Sequence, residues 1–315
     1  MAESWYTVVE NEMDSVREVM EKEVTSAYPE LNDMCEASHN SRYSQIRTAL
    51  SILAYYANGG KNTQDAVYMA SCIEAVYNGL HLHDKVDSDG KVRAVKKSLF
   101  SKIPSTTKVI VAGDFMFLMG FRLAYAKAPD IVPYLMKASS SISDAIFDMV
   151  DNAHNADINE DTVMDIIRRK SAIEYSILFE TAAKKAGAGE DVITKMFECG
   201  AYLGLAIQTR RDIDDLFGEG KKKAVMDTLM SGSPTLPLFY AMQDPAAGAK
   251  VREAFADKGL TRKTALAAVS AIRGSEAIPK CDKFIRECIE KATEILNGLS
   301  DSKYKTTLLD FAKEV

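Results

Sequence analysis

Apolar residues recur at three- and four-residue spacing along almost the whole chain, and no stretch alternates in the manner of a strand. The periodic segments lie near residues 3–25, 40–58, 62–83, 107–126, 131–153, 160–186, 189–217, 232–243, 261–273, 276–297 and 302–314. Between them stand Asn58-Gly59-Gly60, Ser88-Asp89-Gly90, Gly187 to Gly189, Gly218 to Gly220 and Ser231-Gly232-Ser233-Pro234, residue types that cap helices and turn loops. An all-α protein is predicted. Its 315 residues, 47% of them hydrophobic, suffice for a large core, and no Gly/Ser/Pro-rich linker divides them. A single helical domain over residues 1–315 is expected.

Two of the periodic segments end in acidic windows. Ile73, Val76, Leu80 and Leu82 lead into His83 and Asp84, while Leu203, Leu205, Ala206 and Ile207 lead into the run from Gln208 to Asp215. Acidic helix ends facing one cavity suit Mg²⁺, which prefers oxygen ligands and bridges carboxylates to substrate phosphates. Residues i and i+4 share a helix face, so Asp-Asp-x-x-Asp can offer its first and last carboxylates to one ion cluster. Here the windows read Asp84-Lys85-Val86-Asp87-Ser88 and Arg211-Asp212-Ile213-Asp214-Asp215.

The frame around these windows resembles the trans-prenyl diphosphate synthase family, the all-helical enzymes that join isopentenyl diphosphate to an allylic diphosphate. His83 and Asp84 sit at the start of the family's first aspartate-rich motif, and Arg93 at the first Arg of the pair that follows. Gly113-Asp114-Phe115, Lys170-Ser171-Ala172, the run Gly200, Gly204, Gln208 and the stretch Thr235-Leu236-Pro237-Leu238 match further family motifs in order. The resemblance implies a helical bundle of the isoprenoid-synthase type around a central cavity. It also implies a dimer, Mg²⁺ as cofactor, and an allylic prenyl diphosphate as ligand. The catalytic positions it implies are Asp84, Asp212, Asp215 and Lys170. Of these the three Asp would be the metal ligands, their first-motif partner being lost at Ser88. Arg47, Arg93, Lys170, Gln208, Arg211 and Lys221 fall where substrate would be gripped.

The chain departs from that pattern on both substrate sides. Ser44, Gln45 and Arg47 stand where the family places the Lys and two Arg that hold isopentenyl diphosphate, Tyr77 where it places a His, and Ala94 where it places a second Arg. Such a ligand needs several fixed cations. Three Asp and two cations, Lys85 and Arg211, occupy positions that two intact motifs would fill with six carboxylates. A cation about 4 Å from a divalent ion costs roughly 8 kcal/mol at an effective dielectric near 20. Off-register Asp87, Asp89 and Asp214 are the remaining candidate ligands. Leu80 and Gly79, at the positions that limit product length in the family, leave a hydrophobic tunnel open to longer chains.

Composition excludes several other classes. A net charge of −6 and the single short basic run Lys221 to Lys223 argue against nucleic-acid binding. Five cysteines without CxxC spacing suit a reducing compartment and read as core thiols or helix-surface residues. The first residues lack the continuous apolar run of a signal peptide, and no window is read as a membrane span, so a cytoplasmic protein is expected. His81 and His83 with Asp87 offer a weak transition-metal spacing. The Met and aromatic stripe Phe115, Met116, Phe117, Met119 and Phe121 reads as helix core or tunnel wall.

Two functions compete. In one, a catalytically weak or inactive subunit of isoprenoid biosynthesis pairs with an intact prenyl synthase and modulates chain elongation. In the other, the chain is itself a prenyltransferase of the geranyltranstransferase type with an altered Mg²⁺ site, acting alone or as a homodimer.

Overall fold

The computed structural model describes residues 4–86, 90, 92, 104–217, 229 and 231–315. Its helices are α1 (Ser4–Thr7), α2 (Glu10–Glu23), α3 (Pro29–His39), α4 (Arg42–Ala57), α5 (Thr63–His83), α6 (Thr106–Lys127), α7 (Val132–Asp151) and α8 (Glu160–Ile167). They continue with α9 (Ile173–Lys185), α10 (Glu190–Phe217), α11 (Leu236–Met242), α12 (Gly248–Ala256), α13 (Arg262–Arg273), α14 (Ala277–Asn297) and α15 (Lys303–Glu314). The fold is all-α, and the one β feature among the described residues is an isolated bridge between Val86 and Val92. Helices α3 and α12 fall outside the segments expected from periodicity. The expected segment 3–25 is divided into α1 and α2 by a turn at Val9, whose N–H bonds back to the Tyr6 carbonyl at 3.1 Å.

Local chemistry accounts for the boundaries. Ser41, Asn62, Ser105 and Asn159 each accept a backbone N–H at the start of α4, α5, α6 and α8, which satisfies donors that a helix leaves unpaired. Gly59 and Gly187 hold φ of 90° and 82° just beyond α4 and α9, a conformation that glycine adopts without steric cost.

Two compact units emerge. The first comprises Met1–Ser139, Glu174–Gly200 and Thr293–Glu314, the second Ser140–Ile173, Ala201–Ala292 and Val315. In the first, α2, α4 and α6 pack on α5, and α15 packs on α4. The crossing of α5 with α6 is close because glycines line it. A Cβ on Gly79 would lie 2.8 Å from the Gly113 carbonyl, and one on Gly120 2.7 Å from Val76. This corrects the reading of Gly79 as open tunnel: the space beside it is filled by the backbone of α6. In the second unit, Val163, Ile166, Leu216, Leu236, Phe255 and Cys281 share one apolar core.

No described helix carries about 18 uncharged apolar residues in a row, yet α6 passes for a bilayer span by length and composition alone, with Asp114 and Arg122 interrupting its apolar run. Helix α6 has 22 residues, and its most apolar window reaches a mean hydropathy of 1.6. The window is this apolar because α6 carries apolar residues on both sides. Val109, Ala112, Met116, Leu123 and Ala124 are buried, while Ile110, Val111, Leu118 and Tyr125 are exposed, by 41%, 51%, 62% and 81%. All five cysteines are buried and none is in a disulfide, so they are core thiols and not helix-surface residues. Burial pushes the thiols of Cys35, Cys72 and Cys281 up to about 12, so they act as small apolar side chains.

Candidate functional site

In the first unit the residues aligned with isopentenyl diphosphate binding form a sealed polar cluster. The Arg47 guanidinium is buried and donates to Glu74 Oε1 at 3.0 Å and to Asn78 Oδ1 at 2.9 Å, with Glu174 at 3.8 Å. Ser44 donates its hydroxyl to the same Glu74 oxygen, and Thr48 to the other oxygen at 3.2 Å. Glu174 in turn meets His81 Nε2 at 3.0 Å, and His81 is the member that reaches solvent. Burial opposes the Arg47 charge, but Glu74 and Glu174 outweigh it and hold the guanidinium pKa above its ordinary value. Arg47, expected to grip a diphosphate, is thus placed inside the protein with two carboxylates. Tyr77, at the family's His position, is fully buried with no partner for its hydroxyl among the described residues, and burial drives its pKa well up.

The signal for this cluster was present at Glu74, a lone carboxylate in the apolar run Ile73, Ala75, Val76 that requires a buried partner. Glu174 gave no such signal, because its partner His81 lies 93 residues away in sequence.

At the end of α5, Asp84 occupies the C-cap, its N–H bonded to the Leu80 carbonyl at 3.1 Å. His83 Nε2 sits 3.1 Å from Asp114 and 3.2 Å from the Ile110 carbonyl, and its ring covers Gly113, where a Cβ would come within 2.5 Å. That contact explains the Gly113-Asp114 pair as support for the helix end. Burial lowers the Lys85 ammonium below the usual lysine value, and Lys85 has no ion pair among the described residues. Arg93, Lys221, Asp87, Ser88 and Asp89 lie outside the described residues.

The second unit brings Lys170, Gln208, Arg211, Asp212 and Asp215 together. Gln208 Nε2 donates to Asp212 Oδ1 at 2.7 Å across one turn of α10. Burial lifts the Asp212 carboxyl to about 7; the Gln208 bond, Arg211 and Lys170 work against that rise, and Asp215 adds to it. Lys170 lies in a π-helical turn, Arg168–Ala172, between α8 and α9, with its ammonium 3.6 Å from the Met149 sulfur. An inserted residue of this kind re-aims side chains, and such turns concentrate at functional sites. Arg169 of the same turn is tied to Asp165 at 2.7 Å and to Asp148.

Within the second unit, the carboxylates Asp212 and Asp215 stand beside the cations Lys170 and Arg211, and positive charge so close opposes a divalent ion. Magnesium needs ionised oxygen ligands and little positive charge nearby.

The raised Asp212 value has a consequence for stability. An unfolded Asp titrates near 3.9, so between about pH 4 and 7 the folded state binds the extra proton. The contribution is therefore largest at low pH, falls as pH rises through that window, and is lost above about 7. Asp212→Asn keeps the acceptor for Gln208 and removes the titration. The variant is expected to exceed the parent in stability at pH 8 by about 2–4 kcal/mol and to approach it at pH 4. Urea unfolding at a series of pH values measures the difference.

The family model for polyprenyl synthetase matches residues 28–272. Heptaprenyl diphosphate synthase component 2 of Geobacillus stearothermophilus is 25% identical over 312 residues, covering 98% of this chain and 96% of that protein. Octaprenyl diphosphate synthase of Haemophilus influenzae is 26% identical over 274 residues, covering 85% and 82%. Among solved structures, a decaprenyl diphosphate synthase from Rhodobacter capsulatus superposes with a TM-score of 0.82 at 21% identity, covering 98% and 97%. The heptaprenyl diphosphate synthase from Staphylococcus aureus gives 0.83 at 21% identity, covering 97% of each chain.

Proposed function

This chain belongs to the polyprenyl synthetase family, and on that premise we propose that it is a subunit with little chemistry of its own, which pairs with an intact prenyl diphosphate synthase and modulates chain elongation. The observation that carries this reading is the state of Arg47. The one cation retained at the isopentenyl positions is neutralised by Glu74 and Glu174, and Ser44 is spent on Glu74 as well. A diphosphate entering there would have to displace two buried carboxylates, each costly to leave unpaired. Arg47 is structural on this reading. Lys85 and Arg211 weaken the metal side in the same direction.

Pairing draws support from α6. Val111, Leu118 and Tyr125 recur at seven-residue spacing on its exposed side, with Ile110 beside them. An apolar stripe of this kind on a surface marks a contact face. One relative is itself named as component 2 of a heptaprenyl diphosphate synthase, which supports a heteromer. The partner would supply the metal cluster and the isopentenyl site. This chain would supply a helical face and a wall that shapes product length, in the cytoplasm, its two units working as one domain.

The second reading, an active prenyltransferase, is favoured by the persistence of Asp84, Asp212, Asp215, Lys170 and Gln208. It requires Mg²⁺ to bring the Asp212 carboxyl down and to tolerate Lys85. An allylic diphosphate would then meet Lys170, Gln208 and Arg211, with Arg93 and Lys221 as further cations.

Affinity purification of the tagged chain from its native host tests the pairing. A second, intact synthase is expected in stoichiometric amount. Leu118→Lys with Tyr125→Glu is expected to abolish co-purification while leaving the helical circular dichroism unchanged. Recovery of the chain as a homodimer only, or undiminished pairing by the double variant, would contradict it.

A further inference from the structure

A cavity of about 280 Å³ lies within the first unit, between α2 and α3 and over Met116 of α6. Its origin is in the packing. Helices α2 and α3 each rest on α5 and scarcely touch one another, so a slot is left between them. Asn32 closes one end by exchanging hydrogen bonds with both backbone groups of Ser26, at 2.8 and 2.9 Å.

The slot has three chemically distinct parts. Met20, Val24, Cys35 and Met116 are buried and form an apolar floor. His39 lines the slot and makes no side-chain hydrogen bond among the described residues; its Nδ1 is sealed from solvent, so its Nε2 is the ring atom left to meet a ligand. Burial lowers its pKa, ahead of opposing and assisting charges that include Glu74, Arg17 and Arg47, so the ring is neutral at physiological pH. At the mouth stand the exposed carboxylates Glu21 and Glu36, neither in an ion pair among the described residues. The one cation in the lining, Arg17, is held by Asp14 at 3.0 Å and by the Tyr6 hydroxyl at 3.4 Å.

We propose that this cavity binds a small aliphatic amino alcohol, with its ammonium group between Glu21 and Glu36, its methylenes on Met20, Val24, Cys35 and Met116, and its hydroxyl on His39. The acidic mouth disfavours anions, which separates this site from any diphosphate site. Unbalanced carboxylates favour an ammonium group, and the apolar floor favours methylenes over a more polar body. A neutral imidazole offers one donor and one acceptor, and a hydroxyl satisfies either tautomer. The size of the cavity approaches that of small-ligand sites, about 300 Å³ and upward. The inference does not depend on the pairing reading, because the site is complete in one chain.

The test uses the full chain with isotope-labelled methionine methyl groups and aminopentanol as the probe. Saturable shifts of the Met20 and Met116 methyl signals at millimolar probe are expected. Hydroxypentanoate, which carries a carboxylate in place of the ammonium, is expected to leave both signals unmoved. The double change Glu21→Gln and Glu36→Gln should weaken binding about fivefold, and His39→Leu about tenfold. The two Glu positions are surface sites whose replacement leaves folding intact, so the proposal remains exposed even if His39→Leu fails to fold. Absence of shifts at Met20 and Met116, equal shifts with hydroxypentanoate, or unchanged affinity in the double variant would each overturn it.

Discussion

Glu74→Ala is expected to lower the unfolding free energy by about 3–5 kcal/mol. Glu74 is fully buried, and its carboxylate meets Arg47, Ser44 and Thr48 at once. Removing it leaves the guanidinium with Asn78 at 2.9 Å and a more distant Glu174 at 3.8 Å, inside a region that excludes water. An uncompensated buried charge is costly, whereas replacing a whole buried pair by apolar groups is often neutral. The double variant Glu74→Leu with Arg47→Met is therefore expected to lose less stability than Glu74→Ala alone. Urea midpoints of the variants and the parent measure this. Equal losses in the single and double variants would show that the cluster acts through packing and not through charge.

Gly200→Val is expected to cost about 3 kcal/mol, at the upper end of the range for overpacking. A Cβ at this position would lie 2.2 Å from the Tyr175 carbonyl oxygen and 2.7 Å from Ser176 Cα. Both are backbone atoms of α9, so no side chain can rotate away to make room. Gly200 is one of the residues by which the run into the second aspartate-rich motif is recognised, and its role on this account is to let α10 approach α9. Thermal unfolding of Gly200→Ala and Gly200→Val should show losses graded with side-chain size.

Much of the fold was legible because local chemistry states it. Ser41, Asn62, Ser105 and Asn159 announce helix starts, Gly59 and Gly187 announce ends, and the apolar period fills the intervals. Helix α3 escaped because Glu30, Asp33 and Glu36 dilute a short apolar face, and α12 because only Val251, Ala254 and Phe255 mark nine residues. Such helices are fixed by tertiary packing more than by their own sequence. Gly79 misled for a different reason. A missing side chain reads equally as empty space or as close approach of a neighbour, and only the position of α6 decides between them. On the candidate site, the acidic windows and their intruding Lys85 and Arg211 were visible at once, whereas the capture of Arg47 by Glu174 was not, since it joins α4 to a residue 127 positions later. Burial of Asp212, which sets its protonation, is likewise a property of the assembled helices.

On the proposed reading, Arg47, the one cation kept at the isopentenyl positions, is held in internal ion pairs with Glu74 and Glu174, and this chain is expected not to elongate prenyl chains unaided. The most direct measurement is turnover by the purified protein with Mg²⁺, isopentenyl diphosphate and a series of allylic diphosphates. No elongation above background is expected, and none after Lys85→Asp, Ser88→Asp and Arg211→Asp are combined, because Ser44, Gln45 and Tyr77 still leave the isopentenyl side short of cations. Turnover by the unaltered chain on the order of 1 s⁻¹, ordinary for an enzyme, would contradict it.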